Sequence, residues 1–219
     1  MQRMRRRAGA ALSILGLTLW TAGCSDDPAA PGPEPDLAGA PSLRVDVDQV
    51  QRTELGGGIS HYVWDLDLGP GDFDAVRLHR VVRDRRPYAP ARTRDAVFTM
   101  PGSPNYWEQI FLPPAYSDAA GWDQAIAIYL AGNGVDVWGI DYGWSLVPAG
   151  TGDLGFMEGW GIQRDVDLAY EALEAAQAIR VATGQGNGRM HVLGFSYGVP
   201  VGFGMAGMET RLPPGRRLI

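Results

Sequence analysis

The sequence has no lysine, one cysteine and three histidines among its 219 residues. Without lysine it cannot form the phosphate-binding loop in which a lysine contacts the nucleotide, although it has glycine-rich stretches. Its single cysteine, Cys24, cannot form a disulfide within the chain, and the cysteine and histidine spacings match no zinc-binding motif. We therefore predict no metal site and no cofactor.

Positive charge is scarce beyond the first residues. All 19 basic residues are arginines, and the formal net charge is -6. The only charges among the first 25 residues are Arg3, Arg5, Arg6 and Arg7, so without these four the net charge falls from -6 to -10. An acidic chain is repelled by the phosphate backbone, which argues against nucleic acid as a partner.

The N-terminus has the three parts of an export signal. A basic stretch at Met1–Arg7 precedes an apolar run at Ala8–Trp20, and small residues follow at Thr21–Gly23, directly before Cys24. The apolar run is too short for a comfortable transmembrane helix, so cleavage fits better than retention. The segment resembles the lipobox of bacterial lipoproteins, except that Thr21 stands where leucine is usual.

This resemblance implies that residues 1–23 are a signal peptide and that Cys24 carries a lipid. The protein would then be exported to the bacterial cell envelope and held at a membrane by that lipid. Simple secretion and an uncleaved anchor are the alternatives. Residues 24–42, rich in Pro, Ala, Gly and acid, have the composition of a disordered tether, so we predict one folded domain over residues 43–219.

The folded part opens with short β-rich runs. We predict strands at Leu43–Val50, His61–Leu68 and Ala75–Val82, with a turn at Gly69–Asp72 between the last two. So short a connection requires antiparallel pairing. The next predicted strand, Asp95–Met100, is apolar.

The rest of the chain alternates between helical and strand patterns, which predicts an α/β fold with a mostly parallel sheet. The predicted elements are a helix capped by Asp118 with apolar Trp122, Ile126 and Leu130, ending at Gly132; a strand at Val135–Ile140; a long amphipathic helix from Ile162 to Ile179, closed by Gly184; a strand at Met190–Phe195; and a helix from Tyr197 onward.

A G-x-S-x-G pattern lies at the last strand-to-helix junction, from Gly194 to Gly198. The serine at its centre, Ser196, is our candidate nucleophile. A serine on so tight a turn leaves no room for β-carbons two residues before and after it, which explains the two glycines. The following helix directs its N-terminal amides towards charge that develops on a substrate.

From about Val81 onward, these features resemble the α/β-hydrolase family of esterases and lipases. The resemblance implies an oxyanion hole formed by the backbone N-H of Tyr197 and by a second N-H from the loop after an earlier strand. That loop is Pro101–Pro104 here, and because Pro104 has no N-H, the second donor would be Ser103. Asp141, after the strand at Val135–Ile140, is interpreted as structural.

The family places its catalytic acid and histidine after the serine, but only Glu209 and no histidine follow Ser196 here. His191 lies five residues before Ser196, about 16 Å away along a strand, which is too far for a base. His61 and His79 are predicted to be surface residues of the opening strands. Glu209 is predicted to point away from the site, near the end of the following helix.

Two main functional hypotheses remain, beside a third in which a partner chain completes the sheet and the triad. The first is a serine hydrolase that acts on small-molecule or lipid esters, truncated after the nucleophile and inactive as written because its acid and histidine are missing. The alternative is a non-catalytic, lipid-anchored envelope protein that uses a hydrolase-like scaffold for binding. The serine hydrolase hypothesis also predicts that the strand before Ser196 lies at an unpaired, apolar edge of the sheet.

Overall fold

The fold is given by a computed structural model that describes residues 50–71 and 73–219. The predicted signal peptide, Cys24, the tether and nearly all of the predicted strand Leu43–Val50 lie outside the described residues. The described strands are β1 (Gln51–Gly56), β2 (Ile59–Asp67), β3 (Ala75–Arg86), β4 (Ala89–Pro90), β5 (Asp95–Met100), β6 (Val135–Asp141) and β7 (His191–Gly194). The α-helices are α1 (Trp107–Phe111), α2 (Pro113–Tyr116), α3 (Ile126–Gly132), α4 (Ile162–Ala182) and α5 (Gly198–Glu209).

The strands form one mixed sheet in the order β1-β2-β3-β6-β5-β7, with β4 paired to β3. β1, β2, β3 and β6 pair antiparallel in succession, whereas β5 is parallel to both β6 and β7. Most strands therefore run in one direction, and β1 and β3 run against them. This is the predicted α/β fold with antiparallel opening strands.

Most predicted strands agree with the structure within a few residues. β5 has the predicted bounds, and β6 extends the prediction by one residue. The opening differs, because Val50 is not in a strand and β1 begins only at Gln51. β1 escaped prediction because its burial pattern is mostly exposed, so its side chains do not alternate between apolar and polar.

The long helix α4 is confirmed, and the chain leaves it through Gly184 at a positive φ of 77°. The helix predicted from Asp118 is wrong. A short 3-10 helix at Trp122–Gln124 is separated from α3 by Ala125 in an extended conformation. Ile126 is 42% exposed, whereas the buried residues of α3 are alanines. Two of the large apolar residues used for the prediction, Trp122 and Ile126, therefore lie on the outer side, and Leu130 is only partly buried against the core.

Helices cover both faces of the sheet. Phe98 and Trp138 point to the face covered by α4 and α5, and their neighbours Val97 and Val137 point to the face covered by α1 and α3. This alternation follows from the pleat of the strands, which sends successive side chains to opposite faces.

A buried ion network connects three elements across the first of these faces. Asp136 of β6 accepts hydrogen bonds from Arg80 of β3 at 2.7 and 2.9 Å and from Arg180 of α4 at 3.2 Å. All three side chains are almost completely buried, and the Arg80 guanidinium also stacks on Trp138. Because each charge is paired, the network can exist in the interior and fixes α4 against the sheet.

Candidate active site

Ser196 lies on the sharp turn that connects β7 to α5. Its backbone φ is 50°, in the left-handed region that residues with a β-carbon rarely adopt. The preceding residue, Phe195, donates its N-H to the carbonyl of Met100 at 2.9 Å, which ties the turn to the end of β5. The side chain of Ser196 is exposed at the carboxyl end of the parallel strands, where open α/β sheets bind their ligands.

The two glycines that flank the serine are both required by close packing. A β-carbon on Gly194 would overlap the carbonyl of Gly198, and one on Gly198 would overlap the carbonyl of Met100. The turn can therefore approach β5 only with glycine at these two positions, as the sequence pattern predicts.

The loop after β5 lies directly against the serine. A β-carbon added to Gly102 would lie 2.7 Å from the β-carbon of Ser196. The backbone N-H groups of Ser103 and Tyr197 donate no hydrogen bond to any other residue that the structure describes. Ser103 is also exposed. The two candidate donors are thus free to bind an acceptor from outside the protein.

The side chain of Tyr197 anchors the turn to α4. Its hydroxyl donates a hydrogen bond to Asp165 at 2.8 Å, and its ring meets that of Tyr142 edge-on. Burial, together with this hydrogen bond, raises the pKa of Tyr197 to about 12. Burial also raises the pKa of Asp165, and the hydrogen bond from Tyr197 opposes that shift.

No histidine of the chain reaches Ser196 in the structure. His191 lies at the opposite end of β7, where it is exposed and pairs with Asp95 at 3.2 Å. The prediction that His61 and His79 are surface residues is wrong, because they are 4% and 1% exposed and their rings lie 3.0 Å apart from nitrogen to nitrogen. They were misjudged because α1 and its loop cover their face of β2 and β3, a contact that local sequence does not reveal.

The two candidate acids have structural roles. Glu209, at the end of α5, is buried and accepts hydrogen bonds from the Tyr170 hydroxyl and the Leu218 N-H, both at 2.8 Å. Asp141, at the end of β6, accepts the Trp107 N-H at 2.6 Å and so fixes the start of α1. Neither is positioned by these contacts to orient a base beside Ser196.

A cavity of about 300 Å³ that was not predicted lies near the ends of β3 and β6. Ser196 is not among the residues that line it. A signal was nevertheless present, because His61 and His79 fall on the same face of two strands joined by a short turn. The lining residues are Gln51, Val63, Arg77, His79, Tyr106, Glu108, Tyr116 and Asp141.

No protein-family model matches the sequence, and no curated protein matches it either. Solved structures do match its fold. A candidate lipase from Sulfolobus solfataricus aligns with a TM-score of 0.56 and 21% identity, over 75% of this chain and 47% of that one. A candidate acetyl xylan esterase from Bacteroides fragilis aligns with a TM-score of 0.51 and 16% identity, over 74% of this chain and 45% of that one. The chain therefore has an α/β-hydrolase-like fold and spans about half the length of these two structures.

Proposed function

We propose that this chain carries the nucleophile and the oxyanion-binding amides of a serine hydrolase that acts on carboxylic esters. The observation that carries the proposal is the left-handed backbone of Ser196 on the turn between β7 and α5. A strained conformation at an exposed serine is costly, and such strain concentrates at functional sites. The two solved structures with this fold are described as esterase or lipase, which supports an ester as the substrate class.

The reaction would begin with attack of Ser196 Oγ on the carbonyl carbon of the ester. The serine proton passes to a base, the carbonyl oxygen becomes an oxyanion, and collapse of this intermediate expels the alcohol and leaves an acyl-enzyme. Water then attacks the acyl-enzyme and releases the acid. The N-H groups of Tyr197 and Ser103 would stabilise the oxyanion in both steps.

The described residues supply no base for this reaction. All three histidines are held elsewhere by β2, β3 and the start of β7. We therefore propose that the chain as given does not turn over esters by itself, and that a small base added from solution restores part of the chemistry. Ser196 is exposed, so imidazole can reach it.

The test measures release of p-nitrophenol from p-nitrophenyl acetate over a range of imidazole concentrations. We expect no turnover above the Ser196→Ala variant without imidazole, and an excess over the variant's rate that grows with imidazole concentration in the unmodified chain. The variant keeps the fold and subtracts the hydrolysis that imidazole causes in solution. Equal rates in both proteins at every imidazole concentration would refute the proposal.

A non-catalytic scaffold is the second candidate function, and the absence of any described histidine beside Ser196 favours it. It predicts that the two proteins behave alike in the imidazole experiment. A fluorophosphonate probe separates the two candidates independently, because phosphonylation of Ser196 with imidazole present requires a functional oxyanion hole. A scaffold would show no labelling that depends on Ser196.

We also propose that the chain is exported and anchored to a membrane through a lipid on Cys24. No helix in residues 50–71 and 73–219 is long and apolar enough to span a bilayer. Metabolic labelling with a fatty acid in a bacterial host tests the proposal. Incorporation should depend on Cys24 and be lost in Cys24→Ser, whereas labelling of both proteins or of neither would contradict it.

A further inference from the structure

Three side chains that the proposed hydrolase site does not use lie close together, and two of them, His79 and Glu108, line the 300 Å³ cavity. His61 comes from β2, His79 from β3 and Glu108 from α1. One ligand atom from each lies within 4.8 Å of the others. The ring of Trp107 stacks on both imidazoles, with centroids 5.7 and 4.8 Å away, and covers their face.

The two imidazoles lie in a row with a carboxylate at each end. His61 Nε2 lies 3.0 Å from His79 Nδ1. The outer nitrogen of His61 lies 3.7 Å from Glu108 Oε1, and the outer nitrogen of His79 lies 3.3 Å from Asp141 Oδ2. His79 Nε2 is buried and has no hydrogen-bond partner among the residues that the structure describes.

Counting hydrogens shows that this row of four side chains lacks one hydrogen. Two neutral imidazoles carry one ring hydrogen each, and one of the two occupies the contact between His61 and His79. Whichever ring donates that hydrogen, its own outer nitrogen is bare and presents a lone pair to a carboxylate. One end of this series of contacts is therefore repulsive, unless a proton is added there or a cation replaces the hydrogen between the two rings.

The Asp141 end is the less accessible one, since the side chains of His79 and Asp141 are 1% and 4% exposed, although both residues line the cavity. The Glu108 end is open, because that side chain is 32% exposed and lines the cavity. A cation can therefore enter from the Glu108 end. The nearest arginine, Arg77, is already paired with Asp65 at 2.8 Å.

We propose that His61, His79 and Glu108 bind a divalent transition metal ion of the zinc class. Neutral imidazole nitrogens and a carboxylate oxygen are the ligands that this class prefers. An ion that binds His61 Nε2 and His79 Nδ1 takes the place of the hydrogen between the two rings, so each outer nitrogen can carry a hydrogen towards its carboxylate. The 3.0 Å between these two nitrogens is the spacing of two ligands that each lie about 2.1 Å from one ion at an angle of about 90°. Glu108 and Asp141 together balance the two charges of the ion. The bound metal would fix α1, and with it the loop that carries Ser103, against β2 and β3.

The test is calorimetric titration of the untagged full chain with Zn²⁺ after treatment with EDTA. We expect one equivalent to bind, and Co²⁺ in its place to show visible absorption bands typical of nitrogen and oxygen ligands. Glu108→Gln should weaken Zn²⁺ binding at least tenfold. This substitution is at a half-exposed position and keeps the side-chain shape, so circular dichroism should show an unchanged fold.

Two further variants serve as controls. His191→Gln removes the exposed histidine outside the cluster, and Cys24→Ser removes the only thiol. Both should bind Zn²⁺ as the unmodified chain does. The proposal is overturned if the folded protein binds no Zn²⁺. A proton on Glu108 would then supply the missing hydrogen in the row of four side chains. The proposal is equally overturned if binding survives Glu108→Gln and is lost in either control.

Discussion

At the scale of single residues, the backbone of Ser196 offers a direct measure of stored strain. A left-handed φ costs about 1–2 kcal/mol for any residue with a β-carbon, and glycine avoids that cost. Glycine also loses about 0.5–1 kcal/mol through its greater freedom in the unfolded chain. We therefore expect Ser196→Gly to be more stable than Ser196→Ala by up to about 1 kcal/mol in urea denaturation. An alanine variant more stable than the glycine variant by about 0.5–1 kcal/mol would show that the turn is unstrained.

The packing of Gly198 against Met100 leads to a second prediction. A methyl group at Gly198 would overlap the Met100 carbonyl, and such overpacking costs about 1–3 kcal/mol. Gly207 in the same helix has nothing within 4 Å of an added β-carbon. We expect Gly198→Ala to destabilise the protein by about 2 kcal/mol and Gly207→Ala to stabilise it by about 0.5–1 kcal/mol. Chemical denaturation of both variants gives the comparison, and a shift of the same sign in both would contradict it.

Which site residues could be read from the sequence depends on how local their geometry is. The turn at Ser196 and its glycines follow from five consecutive residues, so the pattern located them. The cluster of His61, His79 and Glu108 depends on strand register and on where α1 packs. His61 pairs with Val81, two residues from His79, and this diagonal contact becomes apparent only after the register is known.

At the scale of elements, the ion network around Asp136 connects β3, β6 and α4. Asp136→Asn would leave two buried guanidinium groups without a charged partner, and we expect the free energy of unfolding to fall by about 3–5 kcal/mol. Asp65→Asn is the matched control, because its pair with Arg77 is partly exposed and contributes at most about 1 kcal/mol. Thermal unfolding of both variants tests the prediction, which fails if the two losses are equal.

The hydrogen bond between Tyr197 and Asp165 connects α4 to the start of α5. Its contribution to the stability of the protein depends on pH. Burial raises the pKa of Tyr197 from 10.0 to about 12, so the folded protein holds this proton more tightly than the unfolded chain does. The stabilisation is complete below pH 10 and is lost as the pH rises towards 12. We expect the stability gap between the unmodified chain and Tyr197→Phe to narrow over this range in urea denaturation. A gap that stays constant from pH 9 to 12 would contradict the assignment.

Elements whose apolar residues follow a regular period were predictable, and the others were not. α4 has a buried stripe along 21 residues, and β5 is an apolar run between clear turn signals. α3 failed because it is short and buries alanines, while Ile126 and Tyr129 face outward. In such a short helix, the contact with the sheet decides which side chains are buried, and the spacing of apolar residues in the sequence does not.

At the scale of the whole molecule, β7 is the last strand of the described sheet and no described strand covers its outer edge. The alignment with the solved structures of this fold covers only 47% and 45% of their length. Large apolar side chains are exposed on β7, its turn and α5: Leu193, Phe195, Val199 and Phe203. An unpaired edge beside such a patch favours association between chains.

We therefore expect the chain to associate as its concentration rises, with the patch on α5 contributing most. Phe203, 75% exposed, is the most exposed of the patch residues, so Phe203→Glu should shift the population towards monomer at little cost in stability. Tyr129→Glu is the control, because Tyr129 is 68% exposed on α3, which packs on the opposite face of the sheet. Sedimentation velocity over a range of concentrations separates the two variants. If both change the association equally, surface charge in general controls it, and the patch beside β7 does not.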